Sequence, residues 1–264
     1  NGTPPLFIGM VVHDSRLWGF TSNSSTIWFS NIDDPETFKS SNALQINRGD
    51  GLYIKAIQVL DNGIAIHKND LKKNGRIYIL RMPTKTSDDW SVVKTDANYS
   101  AIGPDFVAQF LDKAVFANEM GIFTFDRSSS GEKLLLEKIS ESLGTYWEGA
   151  VVLTNSGSLT DFNTVLIAQP GNTSGDWFVY DYTVTKGWTR HTTFNGSAST
   201  RFLMHEGRLL GYRAGGASIK RWLLTTSTTG SAAASVFKTQ YIYGHEKDRN
   251  KFKVFRKLNL WMKN

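Results

Sequence analysis

MVVHDSRLWGF, residues 10–20 of the chain, consists of two apolar runs separated by an Asp-Ser pair. Short runs of β-branched and aromatic residues on either side of such a turn are typical of a β-hairpin. Four more segments show this arrangement: residues 57–67, 107–117, 151–168 and 202–212. The five turn centres lie near residues 14, 61, 112, 158 and 206. The sequence therefore predicts a structural repeat of 46 to 51 residues.

Each predicted hairpin is followed by two more strand-like runs. They lie at 26–30 and 44–47, 76–80 and 90–94, 121–125 and 134–136, 177–180 and 188–191, and 219–224 and 237–241. In the fourth repeat the first strand is predicted at 151–154, before a longer loop. The Leu- and Glu-rich run 133–143 is predicted as a strand with a turn, because it occupies a strand position of the repeat.

Four strands per repeat of this length are the spacing of a β-propeller blade. The predicted fold class is all-β, a β-propeller of about five four-stranded blades, with a large sandwich or barrel as the alternative. A four-stranded sheet cannot bury both faces alone, and radial stacking buries each sheet against two neighbours. The predicted domain is 1–245, with blades near 9–48, 52–96, 105–141, 148–194 and 199–244. Residues 246–264 are predicted as a basic strand that leads to a following domain or forms an incomplete blade.

Composition excludes several classes of function. The chain has 264 residues and no cysteine, so disulfide scaffolds, thiolate zinc sites and thiol nucleophiles are excluded. No window approaches 18 consecutive apolar residues, so no membrane span is predicted. The first methionine is Met10 and no signal peptide is recognisable, so we expect a fragment of a longer protein.

Positive charge is concentrated at the carboxyl end. The net charge is +6, and residues 246–264 carry +5 of it. The candidate interaction strip is Lys247, Arg249, Lys251, Lys253, Arg256 and Lys257. Such a strip can attract phosphate or an acidic partner, or it can be the solvated face of a strand. Direct DNA contact is left open, because groove-reading or base-stacking context is missing.

No catalytic, cofactor-binding or metal-binding motif is present. The chain contains no phosphate-binding loop, no dinucleotide fingerprint and no nucleophile elbow, and no cofactor is predicted. None of the five histidines is spaced from another as metal ligands are, although His13 and His205 both directly precede a turn.

Acidic residues recur at the predicted hairpin turns, as Asp14, Asp61, Asp112 and Glu206. We interpret them as turn residues that bond their own backbone, and the pairs Asp33–Asp34 and Asp88–Asp89 in the same way. In a propeller the recurring turn acids are expected to cluster on one face near the axis. They would be the first candidates if the protein were a glycosidase.

Residues 14–38 contain DSRLWGF followed by TIWFSNIDDPETF. This phrase resembles one found in structural proteins of tailed bacteriophages, in the form D-R-L-W, then I-W-x-S-x-x-x-D-P-x-x-F. Residues 239–258, which begin TQYIYG and continue to KFKVFRKL, resemble the segment that leaves the propeller in that family. The family includes tail nozzle or tail tubular proteins and head–tail hub components.

The resemblance implies a non-enzymatic structural and interaction module of a phage or prophage tail. The expected location is the virion tail, assembled in the host cytoplasm. The implied partners are other tail or connector proteins, with a ring homo-oligomer of the full-length protein and a host surface glycan as a further candidate. The alternative function is a carbohydrate-binding or glycoside-cleaving propeller.

Overall fold

A computed structural model describes residues 5–70 and 74–144, Trp147, and the segments 157–162, 165–170, 177–181, 187–191, 200–205, 208–213 and 219–221. In this part of the chain the fold is all-β, with four antiparallel sheets of four strands and one of three. Three short 3-10 helices at Ser87–Asp89, Pro104–Phe106 and Glu141–Leu143 complete the secondary structure that we describe. None of these helices has the length and apolar character needed to cross a bilayer.

Each sheet is a meander of strands consecutive in sequence. Sheet 1 contains β1 (Gly9–His13), β2 (Arg16–Phe20), β3 (Thr26–Phe29) and β4 (Ala43–Gln45). Sheet 2 contains β5 (Tyr53–Leu60), β6 (Gly63–Asn69), β7 (Gly75–Arg81) and β8 (Ser91–Lys94). Sheet 3 contains β9 (Val107–Phe110), β10 (Lys113–Asn118), β11 (Gly121–Asp126) and β12 (Glu137–Lys138). Sheet 4 contains β13 (Gly157–Phe162), β14 (Val165–Pro170), β15 (Trp177–Asp181) and β16 (Gly187–His191). Sheet 5 contains β17 (Thr200–His205), β18 (Arg208–Arg213) and β19 (Ile219–Arg221).

Two predicted strands are wrong in position. The first strand of the fourth repeat is β13 at Gly157–Phe162, and Phe162 pairs with Val165, so two residues connect β13 to β14. The prediction at 151–154 followed the more apolar run, but an edge strand does not need to be apolar throughout. Residues 151–154, like the predicted strand 237–241 and the segment 246–264, lie outside the described residues.

The last strand of sheet 3 also differs from the prediction. It is β12 at Glu137–Lys138 rather than 134–136. Leu134 is buried while Leu135 is 80% exposed, and the Leu134 amide donates to Asp96 Oδ1 at 2.8 Å. Leu134 therefore packs as part of a loop while Leu135 faces solvent, and the run ends in a 3-10 turn at Glu141–Leu143.

The first strands of successive sheets lie next to each other. β1 contacts β5, β5 contacts β9, β9 contacts β13, and β13 contacts β17. Sheets that pack face to face through their first strands form a β-propeller-like arrangement, in which the first strands surround an axis. The repeat predicted from the sequence is thus present as five sheets in the described part of the chain.

Sheet 2 shows why these sheets stack, because both of its faces are buried. Ile64, Ile66 and Leu80 pack with the core of sheet 1, whereas Ala65 and Ile79 pack toward sheet 3. This two-sided burial follows from the alternation of side chains along a strand.

A β-bulge in β5 places its side chains correctly on the two buried faces of sheet 2. The register shifts between Ile54, which pairs with Lys68, and Ala56, which pairs with His67. The extra residue, Lys55, moves Ile54 onto the face of Ile57, toward sheet 1, while Ala56 faces sheet 3.

Candidate functional site

The hairpin turns of the first three sheets lie at one end of the fold, here called the turn face. It is formed by Asp14–Ser15, Asp61–Asn62 and Leu111–Asp112, which connect the first and second strands of sheets 1 to 3. In the first turn both residues have positive φ, 50° at Asp14 and 58° at Ser15, as in the type I′ turn that matches strand twist.

An open groove of about 420 Å³ separates the turns of sheets 1 and 2. It is lined by His13, Asp14, Asp61, Asn62 and the connection 82–85 that follows β7. Two of the recurring turn acids predicted to cluster therefore do lie on the same groove. Asp112 does not line it, and Glu206 lies outside the described residues.

Each of these two acids is paired with a cation from the next sheet. Lys85 Nζ lies 3.5 Å from Asp14 Oδ1, and Arg127 Nη2 lies 3.0 Å from Asp61 Oδ1. Lys85 follows β7 of sheet 2 and Arg127 follows β11 of sheet 3, so the two pairs occupy corresponding positions in the repeat. The turn acid of one sheet thus binds the connection after the third strand of its neighbour.

Arg127 also joins the second and third turns through its backbone. Its amide donates to the Asp112 carbonyl at 3.1 Å, and its carbonyl accepts from the Asp61 amide at 3.1 Å. The residues that would face Asp112 from sheet 4 in the same way, after β15, lie outside the described residues. The turn face is therefore braced by contacts between sheets.

Aromatic side chains position the connection 82–85, which forms one side of the groove. The Trp90 indole donates to the Thr84 carbonyl at 2.8 Å, and the Trp90 ring lies 5.2 Å from the rings of Trp18 and Phe29. The guanidinium of Arg16 lies over Phe29 at 5.3 Å and over Trp90 at 5.5 Å. The bond from Arg16 Nη1 to the Ser30 carbonyl at 2.8 Å holds the guanidinium on sheet 1, and its Nη2 donates to the Lys85 carbonyl at 3.5 Å. Together with the Trp90 bond to Thr84, this contact ties the connection 82–85 to sheet 1.

His13 is half-buried in the groove. Burial lowers the pKa of His13 below its ordinary value, although the Asp14 charge acts in the opposite direction. A lowered pKa keeps the ring neutral at pH 7, where it can donate from one nitrogen and accept at the other. His13 ends β1 as His205 ends β17, which confirms that the two occupy the same position of the repeat.

His67 is a buried structural residue. Its Nδ1 accepts from the Ala101 amide at 3.2 Å, so Nε2 carries the proton and donates to Gln58 Oε1 at 3.3 Å. Gln58 in turn donates to the carbonyls of Ala108 and Val115, the latter at 3.2 Å. Burial lowers the pKa of His67 to about 3. The chain of bonds ties sheet 2 to sheet 3 and is remote from the groove.

Of the paired acids singled out in the sequence, Asp33 lies in a turn and Asp89 in a short 3-10 helix, and the bonds described for them go to other residues rather than to their own backbone. Asp33 has φ 54° and its amide donates to the Ser15 carbonyl at 2.8 Å. Asp89 ends a 3-10 helix and accepts from Thr84 Oγ1 at 2.6 Å. In the described residues no three His, Asp or Glu side chains are grouped so that they could hold a metal ion.

The candidate strip of basic residues lies outside the described part of the chain. This applies to Lys247, Arg249, Lys251, Lys253, Arg256 and Lys257. Sequence analysis did not identify Lys85 and Arg127 as partners of the turn acids, because both lie far from Asp14 and Asp61 along the chain. The position of both, just after a third strand, is the signal that could have found them.

Comparison with known proteins supports the fold. No protein-family model matches the chain, and no curated protein matches it. Among solved structures, streptogramin B lyase is similar with a TM-score of 0.53 and 14% identity, over 83% of this chain and 68% of that one.

Two other structures are similar at lower scores. YCF48 bound to D1 peptide has a TM-score of 0.43 and 13% identity, over 81% of this chain and 66% of that one. Hsv2p of Kluyveromyces lactis has a TM-score of 0.43 and 13% identity, over 78% of this chain and 57% of that one. At these identities the likeness concerns the fold alone.

Proposed function

We propose that the chain is a β-propeller module of about five blades that serves as a non-enzymatic structural and interaction part of a phage or prophage tail or head–tail assembly. The observation that carries this proposal is that the turn acids form salt bridges between neighbouring sheets. Asp14 and Asp61 are bound by cations of the neighbouring sheet and brace the turn face. Glycoside hydrolysis needs two carboxyl groups that act on the sugar, whereas Asp14 and Asp61 each bind a cation of the neighbouring sheet.

The phrase that resembles phage structural proteins supports the proposal through the roles of its residues. Trp18, Phe29 and Phe38 are buried, Arg16 stacks on Phe29, and Asp33 adopts positive φ in the following turn. The phrase thus specifies the packing of sheet 1. The fold that the chain shares with streptogramin B lyase decides nothing about catalysis, because one fold hosts many functions.

In this proposal the module lies in the virion tail and meets other tail or connector proteins, and the full-length protein forms a ring of identical subunits. Light scattering combined with negative-stain imaging of the full-length protein tests this directly. We expect closed rings of one size with a knob of propeller dimensions on each subunit. A monomer at every concentration examined would contradict the ring.

The groove on the turn face favours carbohydrate binding as a second candidate function. It combines carboxylate, amide, hydroxyl and ammonium groups with the apolar surfaces of Met82 and Pro83. Sugars are bound by such a mixture of hydrogen-bonding groups and apolar contacts. A host surface glycan would then be the ligand.

A glycan array with two variants tests this second function. Asn62 lines the groove and Asp112 lies on the turn face outside it. If a glycan binds in the groove, Asn62→Ala weakens binding about three- to tenfold, the value of one hydrogen bond, and Asp112→Asn leaves it unchanged. The absence of selective glycan binding, or equal effects of the two variants, would remove this function.

A further inference from the structure

A small cavity lies between sheets 2 and 3, at the end of the fold opposite the turn face. Its volume of about 10 Å³ is space for one group of the size of a water molecule. It is lined by Asn69 at the end of β6, by the connection 99–102 that follows β8, and by the turn 118–120 between β10 and β11. The whole lining therefore belongs to the described part of the chain.

Hydrogen bonds between the two sheets fix the polar wall of this cavity. Asn69 Nδ2 donates to Ser100 Oγ at 3.3 Å, and Ser100 Oγ donates to the Lys68 carbonyl at 2.8 Å. Asn118 Nδ2 donates to the Ser100 carbonyl at 3.3 Å, while Asn118 Oδ1 accepts from the Met120 amide at 2.8 Å. The positions of these polar groups are thus set by the fold before a ligand arrives, which lowers the cost of binding one.

Glu119 is the charged residue of the lining, and its turn does not need the carboxylate. In the corresponding turn of sheet 2, Asp70 accepts from the Asn74 amide at 3.3 Å and from the Asn74 side chain at 2.8 Å. In sheet 3, Asn118 closes the turn instead. Glu119 Oε1 is covered by protein atoms, and within the described residues it accepts no hydrogen bond and Glu119 forms no ion pair. A covered carboxylate oxygen is costly without a donor or a cation, so Glu119 favours a positively charged partner.

We propose that this cavity binds a primary ammonium group on an unbranched aliphatic stem, as in a lysine side chain or a small free amine. An ammonium group is compact and carries three hydrogen-bond donors. The Glu119 carboxylate supplies the opposite charge, and Ser100 Oγ has a second lone pair beside the one that accepts from Asn69.

The rim of the cavity suits the stem of such a ligand. Tyr99 and Met120 line the cavity and are 39% and 36% exposed. The Tyr99 ring is held by stacking on the Phe123 ring, with centroids 5.2 Å apart. An aromatic ring and a thioether pack well against methylene groups, and the ring also attracts a cation.

Other ligand classes fit the cavity less well. A guanidinium group is planar, with five donors in a fork, and exceeds the space of one water molecule. A calcium ion takes about six to eight oxygen ligands, whereas this lining carries one carboxylate. An anion would be repelled by Glu119. Size and charge together therefore select the ammonium group.

Nuclear magnetic resonance of the full chain, labelled with ¹³C in its methionine methyl groups, tests the proposal without any substitution. We expect propylammonium to shift the Met120 methyl resonance saturably at millimolar concentration, since the ligand makes few contacts. The Met10 resonance, from β1, should not move. Propanol, with the same stem and no charge, should move neither resonance. A Met120 resonance that ignores propylammonium, or that propanol moves equally, would overturn the proposal.

Three variants locate the binding. Glu119→Gln should weaken propylammonium binding at least tenfold, because it removes the charge and keeps the shape. Tyr99→Leu should weaken it about two- to fivefold, the value of one exposed cation–π contact. The matched control is Glu137→Gln, which makes the same change of charge on β12 of the same sheet and should leave binding unchanged. Equal effects of the two glutamate substitutions would show that the cavity is not the site.

Two further ligands identify the source of the ammonium group. If the peptide acetyl-Gly-Lys-Gly-amide shifts Met120 and competes with propylammonium, the cavity takes a lysine side chain of a partner. If propylammonium binds and the peptide does not, the cavity takes small free amines, and both results support the proposal. A shift of Met120 by potassium chloride as large as that by propylammonium at the same concentration would assign the cavity to an inorganic cation and overturn it.

Discussion

At the scale of single residues, the most consequential is Lys68, which is fully buried yet charged. Its Nζ donates to the carbonyls of Ile46 at 2.8 Å and Asn47 at 3.0 Å and to Asp50 Oδ1 at 2.7 Å. All three ammonium donors are therefore used. The Tyr78 hydroxyl donates to the other Asp50 oxygen at 3.0 Å. This network fastens the connection between sheets 1 and 2 onto β6 and β7 of sheet 2.

Lys68→Met tests the network. The substitution keeps the volume but leaves two carbonyls and a partly buried carboxylate without their donor. We expect a loss of about 2–4 kcal/mol in the free energy of unfolding, measured by urea titration. The matched control is Lys113→Met, which removes the surface ion pair with Asp126 and should cost less than about 1 kcal/mol. Equal losses for the two variants would contradict the role assigned to Lys68.

His67 gives the protein a pH-dependent stability. Because burial lowers the pKa of His67 to about 3 in the folded state, the unfolded chain binds a proton that the folded chain does not between pH 6.5 and pH 3. Above pH 6.5 the burial of His67 costs nothing in the free energy of unfolding. As the pH falls below 6.5 the free energy of unfolding decreases, by on the order of 3 kcal/mol at pH 4.

Urea titrations at pH 7 and pH 4.5 check this, with His67→Gln as the comparison. The variant is less stable at pH 7, because Gln cannot both accept from Ala101 and donate to Gln58 in the same geometry. Between pH 6.5 and pH 3, the slope of its free energy of unfolding against pH should also be smaller, by the uptake of one proton on unfolding. An unchanged slope in His67→Gln would show that another group causes the pH dependence.

Neither residue was identifiable from the sequence. A lysine and a histidine beside apolar residues in a strand are expected at the solvated end of that strand. Their burial depends on partners 21 and 34 residues away, Asn47 for Lys68 and Ala101 for His67. Trp147, buried with its indole donating to the Asn118 carbonyl at 2.8 Å, was missed for the same reason.

At the scale of elements, hairpins were predictable where turn chemistry and alternation agree. The pairs β1–β2, β5–β6 and β9–β10 lie where Asp-containing turns interrupt apolar runs. β13 was misplaced because apolar content outweighed turn position in the prediction. β12 has two residues, which is too short for a periodic signal.

Two glycines test the turn geometry, and both have positive φ. At Gly63, with φ 159°, an added Cβ would overlap the Leu80 carbonyl oxygen, whereas Gly49, with φ 95°, has nothing within 4 Å. Gly49→Ala should therefore cost only the backbone strain of about 1–2 kcal/mol. Gly63→Ala should cost at least about 2 kcal/mol more, because β6 must move away from β7. Thermal or urea unfolding gives both values, and similar losses would contradict the close approach at Gly63.

The ion pairs across the turn face are expected to be weak individually. Asp61 and Arg127 are both partly exposed, so a double-mutant cycle with Asp61→Asn and Arg127→Gln should give a coupling energy of about 0.3–1 kcal/mol. The coupling should fall as salt is added. A coupling energy of zero at low salt would mean that the pair does not brace the turn face.

At the scale of the whole molecule, the sheets are joined by first strands and by contacts specific to each interface. Sheets 3 and 4, for example, are linked by the Trp188 indole, which donates to the Ile139 carbonyl at 2.7 Å. The even repeat length predicted this arrangement, because each sheet must bury two faces. Ring closure depends on which residues cover the outer faces of the first and last sheets, and a repeat length carries no information on that.

The groove was only half predictable. The recurrence of turn acids placed Asp14 and Asp61 on one face, as the structure has them. Their ion pairs with Lys85 and Arg127 depend on how neighbouring sheets pack, and they change the interpretation from turn residues that bond their own backbone to braces between sheets.

Immunogold labelling of phage particles tests the central claim most directly. Antibodies raised against this chain would be applied to particles purified from a lysate of the strain that encodes it, with peptide mass spectrometry of the same particles as confirmation. The account predicts gold at the tail or the head–tail junction and peptides of the chain in a fixed ratio to the other tail proteins. Particles that lack the chain, with the protein recovered only in the soluble fraction, would contradict a structural role in the virion.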